Sequence, residues 1–321
     1  MTRPVVLVTR KLPDSVEARL SEHFDTILNP TDRLYSSDEI LKTAENVDAI
    51  LPCHTERFNA KTIAALPTRV RAIANFSVGT DHVDLVAAKE KGVIVTNTPD
   101  VLSDATAEIA MLLLLGAARR ASEGERIMRN QQWKDWSPAF MVGSQVTGKH
   151  IGILGMGRVG QVMARRARGF DMVVHYHNRH QLEPEQEAGA IYHSKLESML
   201  SEIDVLSIHC PATDYTTGLI DATMLAHMKP GAIVVNTSRG AVVKDEALVA
   251  ALQSGHIGAA GLDVFNGEPD NIHPAYREMH NTFLLPHIGS ATRETREAMG
   301  FRALDNLLAI FAGKEPGDRV A

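Results

Sequence analysis

Residues 149–160, Lys-His-Ile-Gly-Ile-Leu-Gly-Met-Gly-Arg-Val-Gly, constrain this chain more than any other stretch. The apolar run 151–154 reads as a short buried strand. It enters Gly155-x-Gly157-x-x-Gly160, and Val159, Val162, Met163 and Ala167 follow at helical spacing. A strand, a tight turn and a helix start in succession form a dinucleotide fingerprint, and each glycine has its own task. Gly155 makes the turn, Gly157 lets backbone approach a pyrophosphate, and Gly160 lets helix and strand pack closely. Backbone N–H groups and the positive end of the helix dipole then face the phosphates. A lone glycine pattern is weak evidence; here the flanking strand and helix carry it.

The 321 residues suggest about two domains. At 44% hydrophobic residues the chain can bury full cores, and a net charge of −6 without a basic tract argues against nucleic acid. Two cysteines, Cys53 and Cys210, are too few for a disulfide framework and fit a reducing cytoplasm. The short apolar run near the N-terminus reads as a first strand rather than a signal peptide. The longest apolar run, 109–118, is about half of the ~20 residues that span a bilayer, so no membrane span is expected.

Strand and helix patterns alternate through the first hundred residues. Strands are expected at 5–9, 47–51, 71–75 and 93–95, with helical character at 15–23, 38–46, 61–66 and 84–91. An apolar core helix follows at 104–120, with Ser103 or Asp104 as N-cap. Residues 123–148 read as an irregular, polar segment bearing Trp133, Trp136 and Phe140. From 151 the alternation restarts, with strands at 151–154, 172–176, 204–209, 232–236, 260–264 and 282–285. Pro184, Glu185 and Glu187 mark a helix start. The last helix, 294–311, is expected to return to the first domain. The pattern is α/β, two doubly wound units with parallel sheets.

Open parallel sheets bind ligands beyond the carboxyl ends of their strands. In the second unit those positions hold Cys210-Pro211, Thr237-Ser238-Arg239-Gly240, Asp263 to Pro269, and Pro286-His287-Ile288-Gly289. Taken singly, Arg239 could be a solvated strand end, Glu268 and Asp263 turn residues, and His287 a plain loop histidine. Together, beside a dinucleotide turn, they offer a guanidinium for a carboxylate and a carbonyl oxygen, a histidine for proton transfer, and a carboxylate to hold that histidine charged.

The sequence resembles the D-isomer specific 2-hydroxyacid dehydrogenase family, most closely its glyoxylate/hydroxypyruvate reductases. The matching stretches are 76–84, 104–108, 155–160, 236–241, 263–269 and 286–290, in family order and over almost the whole chain. The resemblance implies a flavodoxin-like substrate domain split over both chain ends, 1–100 and 289–321, and a central Rossmann cofactor domain, 101–288. It implies that Arg239 holds the substrate, that His287 is the proton donor, and that Glu268 pairs with His287. Backbone around Val78 and Gly79 would grip the substrate carboxylate, with Leu51 near the pocket. Thr106, Gly155, Gly157, Arg158, Val159, Gly160, Asn178, Arg179, Cys210, Pro211, Thr237, Ser238, Asp263, His287 and Gly289 would line the cofactor. A two-fold homodimer is implied, in which an aromatic of the 123–148 segment, Phe140 first and Trp136 second, reaches the partner's substrate pocket.

The second strand of a NAD-binding fold normally ends in an acid that takes the ribose hydroxyls. Here it ends in His177-Asn178-Arg179-His180, and Asp171 lies at the wrong end. Asn178 and Arg179 can bond a 2′-phosphate that a carboxylate would repel, so NADP is expected over NAD. No metal site is expected from His175, His177 and His180, because a strand-to-loop path scatters them and no carboxylate accompanies them. The expected activity is NADPH-dependent reduction of a small 2-ketoacid such as glyoxylate or hydroxypyruvate. The alternatives are a dinucleotide-sensing corepressor-like binding module and a dehydrogenase of another small anion, formate or phosphite.

Overall fold

A computed structural model describes residues 3–321, and the chain divides into two compact units, Met1–Leu102 with Ser290–Ala321, and Ser103–Gly289. The first unit is built on β1 (Val5–Val8), β2 (Asp25–Ile27), β3 (Ala49–Leu51), β4 (Ala72–Ala74) and β5 (Ile94–Thr96). All pair in parallel, in the order β2-β1-β3-β4-β5. This is the flavodoxin-like order, with its switch point between β1 and β3. The inner strands are short runs of Val, Ile, Leu and Ala because a parallel sheet covered on both faces has no polar side. Local signals set the helices between them. Ser36 and Glu39 cap each other reciprocally, Asn59 and Asp84 each accept a first-turn N–H, and Gly92 ends a helix at φ 76°.

The chain end joins this unit as the helix Arg293–Phe311. Its Met299, Ala303, Leu304, Leu307 and Ile310 are buried with Val6, Val8, Leu51, Ala72 and Ala74. Each of the two leucines contributes about 1.5–3 kcal/mol by burial.

The second unit carries β6 (His150–Leu154), β7 (Val173–His177), β8 (Ile191–Tyr192), β9 (Val205–Ile208), β10 (Ala232–Asn236), β11 (Ile257–Leu262) and β12 (Thr282–Leu284). Their order is β12-β11-β10-β9-β6-β7-β8, again all parallel. The winding reverses between β6 and β9, which puts a ligand crevice beyond the carboxyl ends of those strands. Helix Ser103–Ala118 lies directly on this sheet. A Cβ on Gly261 of β11 would sit 2.7 Å from the Leu113 carbonyl oxygen, so glycine is what allows the contact.

The two doubly wound sheets expected from the sequence are present. Several boundaries differ. Residues 123–129, expected to be irregular, fall in the helix Ala121–Arg129, whose charged sequence with Gly124 hides it; 130–148 hold no helix or strand. The two-residue β8 had no run long enough to read. β11 starts earlier than expected, since Gly258 and Gly261 interrupt its apolar pattern. Helix Ser103–Ala118 belongs to the core of the second unit. Among the described residues no helix is long and apolar enough to cross a membrane.

Candidate active site

The glycine turn leaves β6 at Leu154 and starts the helix Arg158–Arg168, with Gly157 at its N-cap. Gly155 has φ 91°, a left-handed value, and a Cβ there would lie 2.6 Å from the Cys210 backbone nitrogen. At Gly160 a Cβ would lie 2.5 Å from the Gly155 carbonyl oxygen. At Gly157 it would meet nothing within 4 Å. Two glycines are thus required by the protein's own backbone, while the third faces open space, as a site for an incoming phosphate needs. No acidic residue occupies the first turn of the helix, so its positive end is uncompensated.

β7 ends beside this turn. Gly155 donates its N–H to the His177 carbonyl at 3.0 Å, and Met156 donates its N–H to Asn178 Oδ1 at 2.7 Å. Asn178 therefore braces the glycine turn with its oxygen. Arg179 is exposed and half-buried Asn178 precedes it. Cys210 closes the turn from β9; burial pushes its thiol up to about 11, which makes it a packing group rather than a nucleophile. His209, just before it, was not singled out from the sequence. It meets Ser207 Oγ at 2.8 Å, and burial pushes it down to about 4, so it stands neutral near Thr237.

The chains leaving the adjacent strands β10, β11 and β12 bring Arg239, Glu268 and His287 to the same sheet end. Asn236 holds the Arg239 turn: it donates to the Arg239 carbonyl at 2.9 Å and accepts the Ser238 N–H at 3.0 Å. A Cβ on Gly240 would lie 2.0 Å from the Phe265 carbonyl carbon, so this turn abuts the one that carries Glu268. Glu268 Oε2 accepts the Phe265 N–H at 2.8 Å, and Oε1 lies 2.6 Å from His287 Nδ1. The carboxylate fixes Nδ1 as the protonated nitrogen on that side and aims Nε2 outward. His287 itself has φ 55°, a left-handed value that is unusual for a non-glycine residue.

Asp263 explains how that backbone is held. It is 1% exposed, and its two oxygens accept the Ile288 and Gly289 N–H groups, each at 2.8 Å. Its carbonyl accepts the His287 N–H at 2.9 Å. Burial raises its pKa, while these backbone bonds oppose the rise. The Asp263 carboxylate thus has a task within the chain, which is to hold the histidine loop. Thr106 packs on the same loop, with its Oγ1 3.5 Å from where a Gly289 Cβ would be.

In the first unit, Ser77, Val78 and Gly79 follow β4. Asn97 donates to the Val78 carbonyl at 2.9 Å and Ser77 Oγ to the Gly79 carbonyl at 2.9 Å. The N–H groups of Val78 and Gly79 make no bond to another described residue, so two adjacent donors are available to an anion. Leu51 does not serve the pocket as expected; its side chain is fully buried in the core around Val8 and Met299, because β3 is covered on both faces. Arg296, in the first turn of the last helix and without a sequence signal, lies over the Phe76 ring at 5.9 Å, and burial lowers its pKa. The Cys53 thiol is pushed up to about 12 by burial and is no nucleophile either.

In the 130–148 segment Trp136 is 70% and Phe140 43% exposed, and Trp133 and Val142 are exposed as well. His175, His177 and His180 are scattered, as expected, but a carboxylate does accompany His175. His177 Nδ1 bonds the His193 carbonyl at 2.8 Å and His180 is exposed, whereas His175 meets His150 and His193, with Glu202 close by.

Residues 111–289 match the family model described as D-isomer specific 2-hydroxyacid dehydrogenase, NAD binding domain. The chain is 42% identical over 317 residues to a glycerate dehydrogenase of Hyphomicrobium methylovorum, covering 98% of each. It is 42% identical over 319 residues to a glyoxylate reductase of Thermococcus onnurineus, covering 98% of this chain and 95% of the relative. Its structure is similar, at a TM-score of 0.88 and 34% identity, to an NADPH-dependent glyoxylate/hydroxypyruvate reductase from Sinorhizobium meliloti in complex with NADP and malonate, covering 100% of this chain and 97% of that one.

Proposed function

Because the chain belongs to the D-isomer specific 2-hydroxyacid dehydrogenase family and is an oxidoreductase with a nicotinamide-dinucleotide domain, we propose that it reduces glyoxylate or hydroxypyruvate with NADPH as preferred reductant. The observation that carries the reading is the Glu268–His287 pair, 2.6 Å apart at the carboxyl end of the same sheet that bears the glycine turn. A ketoacid reduction needs a proton at the new oxygen, and this pair supplies it. Oxidation of formate would need no such donor.

The open space at Gly157, the bare helix N-terminus and the Asn178 amide fit a dinucleotide held by Gly155, Gly157, Arg158, Val159 and Gly160. When bound, the nicotinamide supplies the hydride. Arg239 binds the substrate carboxylate and polarises the keto oxygen. In the other unit, the adjacent Val78 and Gly79 N–H groups are donors suited to a carboxylate. His287 donates the proton from Nε2 to the developing alkoxide, while Glu268, bonded to Nδ1, keeps the ring oriented. Two units organised in this way make 103–289 the cofactor domain and the remainder the substrate domain.

The NADPH preference rests on the end of β7, where Asn178 and Arg179 stand in place of an acid. The exposed aromatics of 130–148 support a homodimer contact. Steady-state kinetics test both levels of the reading. His287→Ala should abolish most of kcat and leave NADPH affinity nearly intact, and Arg179→Ala should weaken NADPH far more than NADH. Better use of NADH than of NADPH by the wild type would remove the cofactor preference and leave the reductase standing.

A further inference from the structure

His175 lies at the middle of β7, on the sheet face covered by helix Leu196–Leu200, opposite Gly152 of β6. It is 1% exposed, and His193, which follows β8, is 8% exposed. His175 Nδ1 is 2.9 Å from His193 Nε2 and 3.8 Å from Glu202 Oε2. One ligand atom from each of the three residues lies within 4.8 Å of the others. A tetrahedral ion with bonds of about 2.0–2.1 Å needs its donors roughly 3.3 Å apart, so small shifts close this triangle. The cluster stands apart from Arg239, Glu268 and His287, which follow β10, β11 and β12 on the other side of β6.

We propose that His175 Nδ1, His193 Nε2 and the Glu202 carboxylate form a binding site for a first-row divalent transition ion of the zinc or cobalt class, with a fourth position open to water.

The surroundings are those of a built ligand set. Imidazoles that hold a metal give their second N–H to an acceptor, which fixes tautomer and orientation. Here His175 Nε2 lies 2.7 Å from His150 Nδ1, and His193 Nδ1 lies 3.1 Å from Ser198 Oγ. Ser198 spends its own proton on the Lys195 carbonyl at 2.8 Å, so it must accept from His193 Nδ1–H, which leaves the His193 Nε2 lone pair facing the site. Without metal that lone pair accepts the proton of His175 Nδ1. On binding, that proton moves to His175 Nε2, which then donates to His150 Nδ1, and His150 carries its own proton on Nε2. The change is one of tautomer along a chain of neutral rings and balances without net proton release. Burial holds His175 down to about 4, so it is neutral near pH 7. Glu202 and Lys229 both act on His175, with opposite sign, and Lys229 is itself bound to the Glu202 carbonyl and to Asp204. Imidazole nitrogens select zinc, cobalt, nickel or copper over magnesium and calcium.

The test uses the full chain, free of any histidine tag and stripped with chelator. Cobalt(II) is titrated while ligand-field absorption is followed, then displaced with zinc; magnesium and calcium serve as controls. One equivalent should bind, displaced by zinc only. His193→Gln and Glu202→Gln should each weaken cobalt at least tenfold, and Ser198→Ala by about tenfold through loss of the bond that orients His193. If His193→Gln does not fold, as judged by thermal unfolding, exposed Glu202→Gln decides alone. Failure of the wild type to bind one equivalent, or unchanged affinity in the deciding variant, overturns the site.

Discussion

Removing the Asp263 carboxylate should disable the enzyme without emptying its cofactor site. The carboxylate holds the Ile288 and Gly289 N–H groups at 2.8 Å each, inside the protein. Bonds to a charged acceptor contribute about 1.5–3 kcal/mol each, so the clamp is worth roughly 3–6 kcal/mol. It works against a left-handed His287, φ 55°, whose strain costs about 1–3 kcal/mol. The clamp wins that comparison, and without it the loop is free to relax. Asp263→Ala then leaves the buried Gly289 donor and the part-buried Ile288 donor unpaired, and loss of stability of about 3 kcal/mol should show in thermal unfolding. A displacement of about 1 Å at the proton donor costs about 100-fold in rate, so kcat should fall on that order while NADPH affinity, measured by fluorescence, changes little. Asp263→Asn keeps one acceptor and should lie between. If Asp263→Ala lowered stability but kept kcat within about threefold of wild type, positioning of His287 by this residue would be refuted, since a merely structural role predicts that split.

Gly160→Ala should destabilise the chain by about 1–3 kcal/mol and weaken NADPH, because its Cβ would press on the Gly155 carbonyl oxygen at 2.5 Å; calorimetry with and without NADPH measures both, and an unchanged protein would contradict the packing. Light scattering should find a dimer that Trp136→Ala weakens, with Phe140→Ala altering KM; a wild-type monomer would defeat both expectations. His209 is held down to about 4 when folded against 6.5 for an ordinary histidine, so its contribution to stability is complete above about pH 6.5 and is lost as pH falls toward 4. The wild type should therefore lose more thermal stability over that interval than His209→Gln, and parallel curves would count against it.

The sequence alone determined whatever depends on local backbone demands. Gly155 and Gly160 were legible because a turn and a close helix crossing admit no side chain there, and Arg239, Glu268 and His287 because each follows an apolar strand. Helix Ala121–Arg129 escaped because its stability owes little to an apolar periodicity. Only the tertiary structure decided what distant segments do to one another. Asp263 was legible as a residue near the site, yet its task of clamping the loop depends on 288 and 289 folding back onto it. Leu51 sits at a promising strand end and is taken by the core from the other chain terminus. The grouping of His150, His175, His193 and Glu202 follows from the register of β6 on β7 and from β8, a strand too short to read. Side chains 18 or 25 residues apart meet only when parallel strands are paired in a particular register, and that register is fixed by burial of both sheet faces rather than by any motif.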